Sequence, residues 1–295
     1  MRVLHMPTNT ASRVSYTVRA ERAIGLDAYG IVFAGAVTQS VAGLHAIPLG
    51  NRKQPVQVAY SSLRMLSALA RYLRSGQPDI IHWYYNGFAD RLYLDWLLLR
   101  VLNKPGVVEL TGADIRIPEI EFAENPYYVA VYHNGYEYRH IESRQNSRKR
   151  QQRFARVGFV PVIMTGMAQY IQPDIFPRFY SVQQRLILSE FEPHYPDTKN
   201  RRPLVIHSPT APIGKGTAAV LSAIEQLQSH YSFDFRLIQG MPRHAALALM
   251  QTADIILDQF VVGDRGLVAV EAMAYGKPVI CYLKPSLVAA YPPEN

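Results

Sequence analysis

The stretch PLVIHSPTAPIGKGTAAVLSAIEQLQ (203–228) decides the fold, together with DIILDQFVVGDRGLVAVEAMAYGKPVICY (254–282). In each stretch a short apolar run is followed by a glycine-containing loop and then by residues of helical period. The full region predicts strands at 203–207, 235–239, 254–258 and 278–282, and helices at 216–229, 243–251 and 266–275. Strands that alternate with helices of this length indicate βαβ units and a mainly parallel sheet.

The same alternation fills the residues before this region. Apolar runs predict strands at 2–6, 29–33, 79–83, 106–110 and 159–164, and the periodicity predicts helices at 13–24, 59–74 and 88–102. On the helix at 59–74, Leu63, Leu66, Leu69 and Ala70 share one stripe, as in a helix packed on a sheet. The polar stretch PDTKNRR predicts a linker at 196–202. We therefore expect an α/β protein with two domains in series, 1–195 and 203–295.

The composition is that of a folded protein from a reducing compartment. Of 295 residues, 48% are hydrophobic and 18% are charged, which excludes disordered, collagen-like and coiled-coil classes. Cys281 is the single cysteine, so the chain has no intramolecular disulfide and no cysteine-based zinc site. The apolar windows around Asp95 and Glu271 are interrupted by these carboxylates and fall short of the roughly 18 residues that cross a membrane. We expect a soluble, cytoplasmic protein.

The net charge of +8 is concentrated in residues 1–200, which carry +7, whereas residues 201–295 carry +1. The densest basic run is RHIESRQNSRKRQQRFAR at 139–156, which has few apolar residues. This run is compatible with docking on an anionic membrane surface, which would make the protein peripheral, or with an ordinary solvated helix face. No RNA- or DNA-binding motif accompanies it, so we expect no nucleic-acid partner.

Several common catalytic motifs are absent from the sequence. It contains no G-x-G-x-x-G, no G-x-x-x-x-G-K-[ST], no H-E-x-x-H and no G-x-S-x-G. It also lacks an Asp-x-Asp pair of the kind that holds a divalent metal on a diphosphate. We therefore expect chemistry without a metal and without a nucleophilic triad.

Two loops are candidates for ligand binding, because open parallel sheets bind ligands beyond the carboxyl ends of their strands. The loop after 203–207 contains Gly214 and Lys215, which suit a phosphate at a helix start but also fit an ordinary helix start. In the loop after 254–258, Gly266 would let a ligand approach the backbone closely. Glu271, in the helix that follows, is either a hydroxyl-binding carboxylate or a surface carboxylate.

The combined series resembles a known family. GKGTAAVLSAIEQL, FRLIQG, ADIILDQF and GLVAVEAMAYGKPVI resemble, in order and spacing, the donor-binding domain of GT-B glycosyltransferases of family 4. In the N-terminal half, DIIHW and ELTGADIR are similar to elements of the same family. The resemblance implies two Rossmann-like domains that face each other across a cleft. It further implies transfer of a sugar from a UDP- or GDP-sugar to a glycan or lipid-linked acceptor, with retention and without a metal or other cofactor.

The resemblance also implies roles for single residues of the second domain. Lys215, next to Gly214, would bind the donor diphosphate as a point charge, and Glu271 would accept hydrogen bonds from the ribose hydroxyls. Gly266 and Leu267 would offer backbone N–H groups to phosphate or sugar. The donor-binding set is completed by Gly240, which ends the strand FRLIQ, and by His207.

The sequence departs from the family pattern at two places. A glutamate expected eight positions before Glu271 is Gly263, and Asp264 is the nearest carboxylate that would substitute in catalysis. The arginine that usually accompanies the lysine is missing, since Thr210 and Pro212 occupy the candidate positions. A protonated His207 would take over some phosphate contact, or it is a capped loop residue.

In the N-terminal half, Asp114 and Arg116 follow a predicted strand end and are candidates for a catalytic role toward acceptor or donor sugar. The alternative for this pair is a local salt bridge that positions the loop. His82 ends another predicted strand, where it is either a buried, hydrogen-bonded histidine or a catalytic one.

The second domain is short for the family it resembles. Its residues end at YPPEN, soon after the predicted strand 278–282, whereas family members continue for several tens of residues. We therefore expect an incomplete second domain. A non-catalytic nucleotide-sugar-binding protein and a nucleotide-sugar epimerase on the same fold remain alternatives, because a fold alone does not determine a reaction.

Overall fold

A computed structural model describes residues 1–34, 39–49, 54–84 and 94–291. The chain divides into two compact units, and each takes residues from two separate parts of the sequence. Unit 1 comprises Met1–Arg116 and Gln145–Arg185, and unit 2 comprises Ile117–Arg144 and Leu186–Asn295. This division differs from domains at 1–195 and 203–295, because 117–144 and 186–195 belong to unit 2.

Polar contacts tie the segment 117–144 to the rest of unit 2. The Lys284 ammonium forms a buried ion pair with Glu121 at 2.7 Å. The Asn125 side-chain amide donates a hydrogen bond to the carbonyl oxygen of Val261 at 2.8 Å. These partners are more than 130 residues apart in the chain, so a local sequence pattern does not reveal them.

The secondary structure follows the expected α/β alternation. The strands are β1 (Arg2–Met6), β2 (Asp27–Ala34), β3 (His45–Pro48), β4 (Ile80–Tyr84), β5 (Gly106–Leu110), β6 (Val160–Ile163), β7 (Tyr180–Ser181), β8 (Leu204–His207), β9 (Asp234–Leu237), β10 (Ile255–Leu257) and β11 (Val279–Ile280). The helices are α1 (Arg13–Ala23), α2 (Pro55–Arg74), α3 (Leu94–Leu102), α4 (Pro118–Glu124), α5 (Pro126–Tyr132), α6 (Arg144–Ala155), α7 (Pro212–Lys215), α8 (Thr217–Gln228), α9 (Arg243–Thr252), α10 (Leu267–Ala274) and α11 (Pro285–Ala290).

Each unit contains one parallel sheet. In unit 1 the strand order is β3-β2-β1-β4-β5-β6-β7, and in unit 2 it is β11-β10-β8-β9. The register aligns His5 of β1 with His82 of β4, and His207 of β8 with Leu257 of β10. The α/β class expected from the sequence is confirmed. Both sheets have the doubly wound arrangement, in which the strand order reverses at one point.

Apolar residues from strands and helices form the core of each unit. In unit 1, helix α1 contributes Val14 and Val18, which pack against Ala28 and Val32 of β2. The core of unit 2 contains Ile206, Ile238, Met250, Ala253, Ile256 and Ala272. A parallel sheet covered by helices on its faces buries its strands almost completely, so the strands read as continuous apolar runs in the sequence.

The strands predicted from these runs are all confirmed, with ends that differ by no more than a few residues. The short edge strands β3 and β7 and the helices between residues 117 and 132 were not predicted from the sequence. The helix predicted at 88–102 is observed from Leu94, and residues 88–93 lie outside the described ranges.

Helix α2 is confirmed, and only part of its predicted apolar stripe is buried. Its buried residues include Met65 and Leu69, whereas Leu63 and Leu66 are 64% and 40% exposed. The helix has apolar residues on two faces, and periodicity alone does not tell which face packs on the sheet. Within the described residues, no helix is both long and apolar enough to cross a membrane.

Candidate functional site

The carboxyl edge of the second sheet brings predicted donor-binding residues together. The strand order reverses between β8 and β10, because β9 lies on the outer side of β8 and β11 on the outer side of β10. Ligands of open parallel sheets bind at such a switch point. The loop after β8 carries Lys215, and the loop after β10 carries Asp258 and Gly266.

The buried carboxylate of Asp258 connects these two loops. Its Oδ1 atom accepts a hydrogen bond from the Lys215 ammonium at 2.7 Å, and its Oδ2 atom accepts one from the backbone N–H of Gly266. A Cβ atom at residue 266 would lie 2.5 Å from Lys215 Nζ and 2.8 Å from Asp258 Oδ1, so glycine is required for this approach. Lys215 and Gly266, both predicted to bind the nucleotide-sugar donor, therefore contact the same carboxylate.

The N–H group of Gly214, expected to face a phosphate, is bound to a carboxylate of the chain itself. Glu137 accepts hydrogen bonds from the backbone N–H groups of Ile213 at 2.7 Å and Gly214 at 2.9 Å. Both N–H groups lie in the first turn of a helix, where they have no partner within the helix. A phosphate that binds these N–H groups would have to replace Glu137.

His207 ends β8 and is completely buried. Its Nδ1 atom lies 2.9 Å from the carbonyl oxygen of Leu257, and its Nε2 atom lies 3.0 Å from the Thr217 hydroxyl. Because a carbonyl oxygen can only accept, Nδ1 carries the proton and Nε2 accepts from Thr217. Burial lowers the pKa of His207, and the nearby Lys215 ammonium adds to this shift against the hydrogen bond to Leu257. The neutral ring connects β8 to β10 and to α8.

Glu271 lies on α10 and is 3% exposed. Its Oε1 atom forms an ion pair with Arg243 Nη2 at 2.5 Å. Burial raises the pKa of Glu271, because it disfavours the ionised carboxylate, and Arg243 opposes this shift. Arg243 is the first residue of α9, so the pair fixes the carboxylate between two helices of unit 2.

The remaining predicted donor-binding residues, Gly240 and Leu267, also follow strands of this sheet. Gly240 comes shortly after β9 and has a φ of +63°, in the left-handed region that favours glycine. Leu267 is the first residue of α10, directly after Gly266. Within the described part of the chain, no group of three or more His, Cys, Asp or Glu side chains is arranged to hold a metal ion.

In unit 1, Asp114 and Arg116 lie in the turn that follows β5. The Asp114 carboxylate accepts a hydrogen bond from the backbone N–H of Thr111 at 2.9 Å and another from that of Gly112. Burial raises the pKa of Asp114, and these backbone hydrogen bonds oppose the shift. Arg116 is 7% exposed, and its backbone N–H donates to the carbonyl oxygen of Gly112 at 2.9 Å. The structure thus places both predicted residues in one tight turn.

Next to this turn lies a buried charged cluster that the sequence analysis missed. Glu109 of β5 is 4% exposed, and its carboxylate accepts a hydrogen bond from Arg185 Nη2 at 2.6 Å. Glu109 also lies 3.6 Å from Arg13 Nε and 3.2 Å from His82 Nε2. Burial disfavours the ionised form of Glu109, but the nearby His82 ring and the two guanidinium groups more than offset this and lower its pKa. His82 is therefore a buried histidine with a carboxylate partner.

The basic run 139–156 forms α6 over most of its length. Part of its charge is used locally, since Arg148 forms an ion pair with Asp174 and Arg150 donates to the carbonyl oxygen of Asp114 at 2.6 Å. The rest of the helix surface carries further basic residues that are exposed to solvent.

Comparison with known proteins concerns the fold. No protein-family model and no curated protein matches the sequence. Among solved structures, an α-glucosyltransferase in complex with UDP-glucose and DNA containing an abasic site matches 95% of this chain and 79% of its own, with a TM-score of 0.55 and 9% identity. UDP-GlcNAc 2-epimerase from Neisseria meningitidis matches 98% of this chain and 85% of its own, with a TM-score of 0.47 and 14% identity. The calicheamicin glycosyltransferase matches 97% and 79%, with a TM-score of 0.42 and 13% identity.

The first of these similarities, together with one parallel Rossmann-like sheet in each unit, decides the fold class. The chain has a GT-B fold. Gly263, where the sequence resemblance led us to expect a glutamate, lies in a part of this GT-B chain that requires glycine. Gly263 has a φ of +67°, and a Cβ atom there would lie 2.1 Å from Lys284 Cγ. The backbone N–H of Lys284 donates to the carbonyl oxygen of Gly263 at 3.0 Å, so the two residues are held together.

We expect Gly263→Ala to destabilise this GT-B chain by about 2–5 kcal/mol, because the substitution adds a clash to left-handed strain. Gly240→Ala is the matched control, since Gly240 has a similar φ of +63° but no atom within 4 Å of an added Cβ. Its expected cost is about 1–2 kcal/mol. Chemical denaturation of both variants measures their free energies of unfolding. Equal losses of stability would show that the Lys284 side chain moves to make room for the added methyl group.

Asp264, the nearest carboxylate to the missing glutamate, is buried. Its Oδ1 atom accepts a hydrogen bond from the backbone N–H of Arg265 at 2.7 Å and a long one from the Tyr291 hydroxyl at 3.4 Å. Burial and the neighbouring Asp264 carboxylate raise the pKa of Tyr291 to about 12. Asp264 lies six residues after Asp258, in the same loop that follows β10.

Three functional candidates of the GT-B chain escaped the sequence analysis: Asp258, Arg243 and Glu137. Asp258 was visible as the residue that ends the run ADIILD, at the carboxyl end of a predicted strand. The other two lie in segments without a ligand-binding pattern, and only the fold brings them to Glu271 and Gly214.

Proposed function

We propose that this chain is a glycosyltransferase similar to those of family 4, with a nucleotide-sugar donor bound to unit 2. One observation carries the proposal: Lys215 and the N–H of Gly266 come from different loops and converge on the Asp258 carboxylate. The Asp258 carboxylate, anchored by the Gly266 N–H, holds the Lys215 ammonium at the switch point of the sheet, where its remaining N–H donors and positive charge suit a diphosphate.

The chemistry at this site is electrostatic in our proposal. An ammonium has three N–H donors, so Lys215 can bind a donor phosphate while Asp258 holds it in position. Its positive charge would stabilise the departing diphosphate without a metal or other cofactor. Glu271, held by Arg243, would accept hydrogen bonds from the ribose, and Gly240 and Leu267 would line the site.

The finer points of the reaction are also proposals. We propose a UDP- or GDP-sugar as donor, a glycan or lipid-linked acceptor, and retention of configuration with the leaving diphosphate acting as the base. Asp264, Asp114 and Arg116 are the candidate catalytic residues. A cytoplasmic location with peripheral attachment through 139–156 completes the proposal; it requires binding to anionic vesicles that weakens as salt is raised.

A screen of UDP-, GDP- and ADP-sugars by calorimetry tests the proposed function. We expect one nucleotide class to bind, and Glu271→Ala to weaken that binding at least about tenfold through loss of hydrogen bonds to the ribose. Glu192→Ala, at an exposed glutamate of the same unit, is the matched control and should leave binding unchanged. The proposal fails if no nucleotide binds, or if both variants bind like the parent protein.

A non-catalytic nucleotide-sugar-binding protein is the second candidate. Gly263 favours it, because packing against Lys284 excludes the glutamate of the family pattern. Incubation of the bound donor with the protein separates the possibilities. Donor breakdown that is lost in Lys215→Ala supports the transferase, an intact donor supports the binding protein, and release of an epimerised nucleotide sugar without acceptor identifies an epimerase.

A further inference from the structure

Two arginines and a glutamine in unit 1 form a cluster of hydrogen-bond donors. These residues are distinct from the ones in unit 2 that we propose bind the nucleotide sugar. The arginine cluster consists of Arg13, Gln184 and Arg185, arranged around the Glu109 carboxylate. Arg13 begins α1, and Glu109 lies one residue before the end of β5, so the cluster is at the carboxyl edge of the first sheet. This edge contains the reversal of strand order between β1 and β4.

The contacts inside the cluster leave two guanidinium groups on one carboxylate. Arg185 Nη2 donates to Glu109 at 2.6 Å, and Arg13 Nε lies 3.6 Å from Glu109. The other partners of Arg13 are uncharged: Nε donates to the Gln184 side-chain oxygen at 3.0 Å, and Nη2 lies 3.0 Å from Met164 Sδ. Arg13 is only 6% exposed. Its buried positive charge is therefore balanced by a carboxylate that it shares with Arg185.

The other carboxylates that act on the cluster have partners of their own. Glu21 is 2.7 Å from His5 Nε2 and is partly open to solvent. The Asp114 carboxylate accepts hydrogen bonds from the backbone of its own turn. Burial lowers the pKa of Arg13 and Glu109 opposes this shift, as expected for a cation whose neighbouring charges compensate it only in part.

Three donor atoms of the cluster are buried without a hydrogen-bond acceptor among the described residues. They are Arg13 Nη1, Gln184 Nε2 and Arg185 Nε. Buried N–H groups are nearly always bonded, and each one that is not costs its full desolvation. All three atoms here are donors, so the missing partner must offer acceptor atoms, and an anion would also supply the negative charge that the two guanidinium groups lack.

We infer that the arginine cluster binds an oxyanion, either a carboxylate or a phosphate group. Planar guanidinium groups bind both anions through paired N–H donors, and a second anion would complete the charge balance of Arg13 and Arg185. Anion binding itself does not depend on the proposed function. The further step, that the oxyanion is carried by the acceptor sugar, rests on the proposed function.

Titration of the full chain with glucuronate and with glucose 6-phosphate tests this inference, with glucose as the uncharged probe and the ionic strength held constant. We expect at least one of the two anions to bind at millimolar concentration, and glucose not to bind. The anion that binds identifies the source of the oxyanion. Absence of binding by both anions overturns the inference.

Arg13→Gln removes one guanidinium group and is expected to raise the dissociation constant of the anion at least about tenfold. Arg71→Gln makes the same change on the exposed surface of α2 and should leave anion binding unchanged. Equal binding by the two variants contradicts the inference. Should Arg13→Gln unfold, the parent protein still gives a result, because anion binding must shift the side-chain N–H resonances of Arg13 and Arg185.

The two proposals are separable by experiment. Arg13→Gln should bind the nucleotide sugar as the parent protein does, and Lys215→Ala should bind glucuronate or glucose 6-phosphate normally. Anion binding without any nucleotide binding leaves the arginine cluster established and removes the proposed function. Nucleotide binding without anion binding supports the proposed function and overturns the assignment of the arginine cluster as an oxyanion site.

Discussion

Lys215→Ala is expected to weaken nucleotide-sugar binding by about 10- to 100-fold, because one charge-assisted hydrogen bond contributes about 1.5–3 kcal/mol. The loss comes from the donor diphosphate, which in our proposal is bound by this ammonium at the switch point of the second sheet. Calorimetry with the nucleotide sugar found in the screen measures the change. Any turnover of that nucleotide sugar should also be lower in Lys215→Ala than in the parent protein.

The control for this variant must account for Asp258, which Lys215→Ala leaves buried without its cation. The double variant Lys215→Met with Asp258→Asn removes both charges, so it should recover stability but not nucleotide binding. Lys199→Ala removes an exposed lysine of the same unit and should bind normally. Nucleotide binding that survives in a folded Lys215→Ala protein rules out the diphosphate role.

Glu109→Ala is expected to lower the free energy of unfolding by about 3–5 kcal/mol, because it leaves two buried guanidinium groups without their carboxylate. Asp174→Asn is the contrasting change in the same unit. Asp174 pairs with Arg148 at the surface, where solvent screens the pair, so its loss should have no measurable effect. Urea denaturation of the three proteins checks the difference, and a small loss in Glu109→Ala would show that the cluster rearranges around the missing charge.

The same glutamate predicts a pH dependence of stability. The pKa of Glu109 is lowered in the folded protein, so its contribution is complete above the unfolded pKa of about 4.3 and is lost as the pH falls through the folded value. Below about pH 4.3 the parent protein should lose stability by about 1.4 kcal/mol per pH unit more than Glu109→Gln. Parallel pH profiles of the two proteins would contradict the assigned ion pairs.

The fold was largely predictable from the sequence because strands buried on both faces appear as uninterrupted apolar runs. Runs such as RVLHM and GVVEL correspond to β1 and β5 with the same bounds. The edge strands β3 and β7 were missed because a strand with one neighbour, and a length of four or two residues, leaves little apolar pattern. Helix α2 was found, but its two apolar faces made the choice of buried face ambiguous.

The candidate site was predictable only where its residues follow a strand closely in the sequence. Lys215 follows β8, and Gly266 and Glu271 follow β10, so topology and spacing were enough to select them. Their partners could not be selected in the same way. Arg243 reaches Glu271 from a separate helix, and Glu137 reaches Gly214 from a segment 77 residues earlier, so only tertiary packing reveals these pairs.

The interleaving of the two units has a consequence for synthesis on the ribosome. The segment 117–144 is made before residues 145–185, which unit 1 needs for β6 and β7. Two of its partners, Val261 and Lys284, are made more than 130 residues later. Unit 1 can therefore complete its sheet before 117–144 meets these partners, and unit 2 can close the buried Glu121–Lys284 ion pair only after residue 284 has left the ribosome. A nascent chain halted before residue 261 therefore carries every strand of the first sheet but lacks β11 of the second sheet, Val261 and Lys284.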